Sequence, residues 1–380
     1  MSLSATISGL WNRFQGELFP DLAEEVGPLL ERHQRFVTVL DLVQVERFAG
    51  QAWGSPGRPR EDRCALARAF IAKAVWDLPT TRHLIDRVQT DATLRRLCGW
   101  SRCAEIPSEA TFSRAFGEFS QSRLAERMHG HLVEETLGDE LVGHISRDST
   151  AIEGREKPAP KPRVHDRPRR KRGRPRKGEE RVKESTRLER QTDSMNLADM
   201  LDELPKACDV GSKRNAKGFI ETWRGYKLHI DTADCGVPVS AVLTSASVHD
   251  SQVAIPLALM TAGRVTNLYD LMDAAYDARE IHAMSERLGH VAIIDVNPRR
   301  NKELKADLER EARARRAACH VDAASVRFRT RSSVERTNGR LKDEFGGRHV
   351  RVRGAAKVAC HLMFGLLALT ADQVMRLAVP

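Results

Sequence analysis

The chain has 380 residues, enough for two or three domains with real cores, and its 62 Lys and Arg against 52 Asp and Glu leave it at +10. Seven cysteines form no C-x-x-C pair, which argues against a zinc site or a disulfide framework and fits a reducing, cytoplasmic setting. The excess charge is local: residues 155–187 hold fifteen Lys and Arg against five Asp and Glu and so account for the whole +10, which points to a polyanionic partner.

Residues 5–50 read as two helices, the first broken at Phe19-Pro20-Asp21 and the second striped by Leu22, Val26, Leu29 and Leu30. No signal peptide is legible before them. Residues 54–60, Gly-Ser-Pro-Gly-Arg-Pro-Arg, are a loop by composition. From Glu61 to about Leu137 the pattern is densely helical, with Leu66, Phe70, Ile71, Ala74 and Val75 on one face and Leu84, Ile85, Val88, Leu94 and Leu97 on the next. Ser108, after Pro107, is placed to cap a helix that turns Phe112 and Phe116 inward and exposes Thr111, Ser113 and Arg114. This is either a helix-turn-helix, with Ser113 and Arg114 against DNA, or an ordinary corner of a helical bundle.

Leu141–Arg147 reads as a strand running into Asp148. From Arg155 the chain turns Pro- and Arg-rich with almost no apolar residues. It cannot bury a core, so a basic disordered insertion is expected over about 155–215. Inside it, Lys171-Arg172-Gly173-Arg174-Pro175-Arg176-Lys177 resembles an AT-hook. Glycine lets the backbone approach the groove floor, proline holds it extended, and a narrow A·T minor groove concentrates negative potential on the arginines. The alternative is a merely basic linker, which phosphate would attract in either case.

Order returns at Trp223. Tyr226, Leu228 and Ile230 alternate with Lys227, His229 and Asp231, and after a turn at Asp234-Cys235-Gly236 the alternation resumes at Val237, Val239, Ala241 and Leu243, a hairpin. Asp250 is expected to cap a helix over 251–262, with His249 hydrogen-bonded at its start. A strand then runs into Asp273 and Tyr276 packs behind it. A helix near 277–288, a strand at 291–296 and a charged helix near 300–318 follow, and the apolar run Leu362–Leu369, too short to span a bilayer, reads as a buried C-terminal helix.

On a helix, Arg331, Glu335, Asn338 and Lys342 fall on one stripe and Val334, Leu341 and Phe345 on the apolar stripe beside it. Asp148, Asp273 and Glu335 thus form an ordered Asp, Asp, Glu set. With Phe328 in place of the tyrosine, Arg331, Glu335 and Lys342 follow the Tyr-x2-Arg-x3-Glu-x6-Lys signature, and the chain resembles the insertion-sequence DDE transposases. Trp223-Arg-Gly-Tyr226-Lys-Leu-His and Ser247-Val-His249-Asp250 belong to the same resemblance, which spans roughly residues 50–375.

The resemblance implies an α/β chain. A helical DNA-binding domain (1–138) would precede a ribonuclease H-like catalytic domain (139–376) interrupted by the basic insertion. It implies Asp148, Asp273 and Glu335 as catalytic ligands of Mg²⁺, with Mn²⁺ able to substitute, because in-line displacement at phosphorus needs hard oxygen ligands with open metal positions. Arg331 and Lys342 would hold phosphates. The partner is double-stranded DNA, engaged by a nucleoid-associated homodimer without a membrane. Two rivals stay open: a catalytically inactive, domesticated DNA-binding protein, and a nuclease that cuts without joining.

Overall fold

A computed structural model describes residues 13–50, 61–160, 185–214 and 217–378. Its N-terminal part is helical: Phe19–Val26, Glu31–Val43, Glu46–Ala49, Arg63–Val75, Thr81–Thr90, Ala92–Cys98, Glu109–Gln121 and Leu124–Leu137. Side chains start several of these by filling orphan backbone donors. Asp62 accepts from the Cys64 N–H at 2.8 Å and Asp91 from the Leu94 N–H at 3.0 Å. Pro20 does not break the chain's helical course. It lies in the first turn of Phe19–Val26, where a missing N–H costs little, directly after the π-turn Phe14–Leu18.

The helix Ala355–Ala378 closes this bundle from the far end of the sequence. It packs on Leu124–Leu137, Glu31–Val43, Arg63–Val75 and Glu109–Gln121. The Phe364 ring lies 5.9 Å from Phe70, 6.4 Å from Phe116 and 6.5 Å from Phe119. By length and composition alone this helix could cross a membrane, but most of its apolar window is buried in protein, as a core helix is. One apolar core therefore runs from Phe14 through the bundle to the sheet face on which the helix Ser332–Glu344 sets Val334 and Leu341.

Among the described residues the sheet has six strands: β1 (Leu141–Glu153), β2 (Asp209–Arg214), β3 (Ile220–Ala233), β4 (Pro238–Ser245), β5 (Thr266–Met272) and β6 (Val291–Ile294). β4, β3, β1, β5 and β6 lie side by side; the β1–β5 and β5–β6 pairs are parallel and the others antiparallel. β2 pairs with the first half of β3 up to Gly225, and β4 with the second half from Tyr226. Gly225 is where β3 changes partner. Its φ is +146°, and a Cβ there would stand 2.2 Å from the Ile152 carbonyl oxygen, so only glycine fits.

The pleat sorts the two faces. Asp148 is opposite Ile230 and shares its face with the helix Ser332–Glu344; Arg147 is opposite Asp231 on the other face, toward the helix Ser251–Ala262. Arg147 and Asp231 form a fully buried pair, with guanidinium nitrogens 2.8 and 2.7 Å from the carboxylate oxygens.

The expected disorder over about 155–215 is corrected in its second half. Helices Arg187–Asp193 and Leu197–Glu203 and strand β2 are formed there. Thr186 and Asn196 cap the two helices, and Met200 and Leu204 are buried near the helix Ser251–Ala262, which gives this stretch an apolar anchor that its charged start lacks. Lys171, Arg172, Arg174, Arg176 and Lys177 lie outside the described residues.

Candidate active site

Asp148 is not at a strand end, as expected from the sequence, but within β1, which continues to Glu153. Because Ser146 pairs with Leu271 in the parallel β1–β5 ladder, Asp273, the residue after β5, falls level with Asp148 two residues past the last pair. Asp273 begins a single 3₁₀ turn, Ala274–Tyr276, and accepts from the Ala275 N–H at 2.9 Å. Helix Ser332–Glu344 lies across β1 and β3 because Val334, Leu341 and Phe345 are all buried, as their spacing predicts. That packing brings the Asn338 side-chain amide to 3.4 Å from the Asp148 carboxylate.

The electrostatics are those of crowded acids. Burial pushes the Asp148 carboxyl up to about 6; the Ser149 N–H and Arg331 pull it down, and the carboxylates of Asp273 and Asp250 push it up further. Tyr276 is buried, and among the described residues its hydroxyl has no hydrogen-bond partner. Burial and then Asp250, Asp148 and Asp273 raise this phenol well above its ordinary range, so it stays neutral beside three carboxylates. Tyr276 does pack, as expected, against Met272 and Ile281.

Asp250 is the residue that sequence reasoning undervalued. It occupies the start of helix Ser251–Ala262, but its side chain makes no capping bond. It accepts instead from Ser149 Oγ at 2.9 Å and Lys227 Nζ at 3.0 Å, with His229 Nδ1 at 3.7 Å. Burial raises its carboxyl, but His229, Lys227 and Ser149 together hold it below the usual carboxylate range. Burial pushes His229 down to about 4, so Lys227 supplies the positive charge at neutral pH. The signal was present as the alternation of Lys227 and His229 on one face of β3. What it lacked was the partner, which only the fold brings across from the end of β4. His249 bonds Ser251 at the helix start, as expected.

Glu335 is exposed and forms an ion pair with Arg331 at 2.5 Å, while Arg331 also lies over the Phe328 ring at 5.6 Å. The ring in the tyrosine position thus keeps a stacking role without its hydroxyl. Among the described residues no three His, Cys, Asp or Glu side chains are gathered into a ready metal-binding group. Asp148 and Asp273 stand together, and Glu335 is turned onto Arg331. Lys342 is half-buried farther along the helix; burial, Lys213 and Arg348 lower its pKa. In the N-terminal bundle, Ser113 and Arg114 are exposed while Phe112 and Phe116 are buried, the placement expected from the sequence, and the Arg114 guanidinium donates to Thr111 Oγ1 at 3.2 Å.

A mixed sheet with adjacent acids on its two central parallel strands, a third acid on the helix across it and a helical bundle ahead of it defines a ribonuclease H-like catalytic domain with a helical N-terminal partner. Residues 206–371 match the family model described as the transposase DDE domain, and residues 24–118 match the transposase domain DUF772. The chain belongs to the DDE transposases. Asp148 precedes the first of these matched stretches, but its strand lies between β3 and β5, which are both inside it. No curated protein and no solved structure matches the chain.

Proposed function

We propose that this transposase cuts DNA at the ends of an insertion sequence and joins the freed 3′-hydroxyl to target DNA, with Asp148, Asp273 and Glu335 as its catalytic carboxylates. The observation that carries the reading is Asp148. It is a partly buried acid set against two further carboxylates, inside a sheet whose other strands belong to a transposase DDE domain. The fit to Mg²⁺ or Mn²⁺ rests on the same crowding. Carboxylate oxygens with unbalanced negative charge suit a divalent cation. When bound, a pair of such ions activates the attacking oxygen and steadies the leaving one in an in-line displacement.

The chain's own residues do the rest. Asp148 and Asp273 would hold metal from adjacent strands, and Asn338 fixes the Asp148 carboxylate across the helix interface. Glu335 would turn from Arg331 toward the two aspartates, which frees Arg331 for a phosphate. Lys227 keeps Asp250 ionised behind the site. Lys342 would meet phosphate farther along the same helix. We place the DNA-binding unit at 1–138, with Ser113 and Arg114 toward a groove, and the catalytic unit at 139–376. The hook-like segment 171–177 would sit in a minor groove, and a homodimer would bring two element ends together.

The test is Mg²⁺-dependent nicking of a duplex carrying the gene's own flanking ends. Asp148→Asn, Asp273→Asn and Glu335→Gln should each slow it by on the order of a thousandfold while the protein still binds DNA. Wild-type cleavage by a folded Asp148→Asn protein would overturn the assignment.

A further inference from the structure

A cleft of about 790 Å³ lies between the N-terminal helices and the segment that leads into helix Ala355–Ala378. Its cations come from four separate parts of the chain: Lys73, Arg82, Arg155, Arg351, Arg353 and Lys357. Among the described residues Glu109 is the one acid in the lining, and it is paired with Arg82 at 3.5 Å. Among the described residues, Arg155, Arg351, Arg353 and Lys357 have no ion-pair partner. Lys73 is buried, and burial pushes its pKa down to about 8, with Asp77 partly offsetting the shift. Bringing so many like charges together without counter-charge is unfavourable unless a polyanion supplies it.

The cleft also has a position relative to the acids. Arg155 lies seven residues after Asp148, just past the end of β1. At about 3.3 Å per residue that is no more than roughly 23 Å. B-form DNA advances 3.4 Å per base pair, so the interval corresponds to about seven base pairs at most. Helix Ser332–Glu344 follows the same course, with Asn338 at Asp148 and, one turn on, Lys342 among Lys213, Arg348 and Glu153 near the end of β1. Lys342 thus adds a cation on this side, while Lys213 pairs with Glu221 at 3.9 Å and Arg348 with Asp343 at 2.6 Å.

We propose that this cleft seats the sugar-phosphate backbone of the element-end duplex up to about seven base pairs from the scissile phosphate. The N-terminal helices and the catalytic face then grip one continuous stretch of DNA. This rests on the proposed function and adds the path of the DNA to it. Ser113, which also lines the cleft, ties the end of the helix Glu109–Gln121 to that path.

The test uses the full chain and a 30-base-pair duplex carrying the gene's own flanking ends, in EDTA, so that cleavage plays no part. Each phosphate contact contributes about 0.9 to the slope of log affinity against log salt, so R351A/R353A/K357A should lower that slope by about two to three. Hydroxyl-radical protection should vanish at the outer positions within about seven base pairs of the cut and persist at the cut itself. All three side chains are exposed, so the variant should stay folded, and R351K/R353K/K357R should restore the slope. An unchanged slope and footprint beside normal wild-type cleavage in Mg²⁺ would overturn the cleft and leave the catalytic reading standing. A wild type that binds the duplex but never cleaves it would do the reverse if the slope still fell.

Discussion

Asp148 is a carboxylate held against burial. Its pKa of about 6 in the folded chain stands above the ordinary value of 3.8, so ionising it costs stability. The sign follows from linkage. The cost is absent below the unfolded value, grows between 3.8 and about 6, and is full above it. At about 1.36 kcal/mol per unit, discounted for partial exposure, Asp148→Asn in EDTA should be more stable than wild type by roughly 2 kcal/mol at pH 7.5 and equal to it at pH 3.5. Urea unfolding at the two pH values measures this, and no gain at pH 7.5 would show that the acid is comfortable where it sits. Mg²⁺ should raise the thermal midpoint of the wild type and leave that of Asp148→Asn almost unmoved, since the cation relieves repulsion only where the carboxylate remains. Asp148, Asp273 and Glu335 were singled out by the family resemblance; that Asp148 and Asp273 approach each other is visible only in the fold. The part played by Asp250 was not legible, because Lys227 and Ser149 reach it from two other strands.

Among the elements, the helix Ser332–Glu344 was the most legible because burial follows a 3.6-residue repeat, and Val334 and Leu341 are fully buried where that repeat puts them. Leu341→Ala should cost about 2–5 kcal/mol and slow cleavage, since the same packing holds Asn338 against Asp148. Denaturant titration paired with a nicking assay checks both halves, and a stability loss without any rate loss would detach Asn338 from the site. β1 was read short, ending at Asp148, because Ser149 and Thr150 break the expected apolar run while still serving the ladder against β3. Residues 187–214 were read as disordered from their charged neighbourhood. Their order depends on a few apolar side chains, Met200 and Leu204 among them, buried near a helix fifty residues away. Gly225 shows a local demand no periodicity reveals: Gly225→Ala should weaken the sheet by several kcal/mol through strain at positive φ and the clash with Ile152.

At the scale of the molecule, the helix Ala355–Ala378 ties the bundle to the sheet. Phe364 sits among Phe70, Phe116 and Phe119, so the N-terminal helices lack a complete core without it. A fragment of residues 1–138 should therefore show weak protection in hydrogen exchange, and adding a peptide of residues 350–378 should restore it. Strong protection in the fragment alone would mean that the bundle folds independently. This long-range closure was invisible in the sequence, where Leu362–Leu369 reads as a buried C-terminal helix but nothing names the helices it is buried against. The central claim is that one site both cuts and joins. The direct measurement is strand transfer: a labelled duplex with the gene's own ends, a supercoiled target plasmid and Mg²⁺, run with wild type and Asp148→Asn. The account predicts label covalently joined to plasmid through the 3′-hydroxyl of the element, with wild type only. Cleaved ends that never join, or joined product from Asp148→Asn, would contradict it.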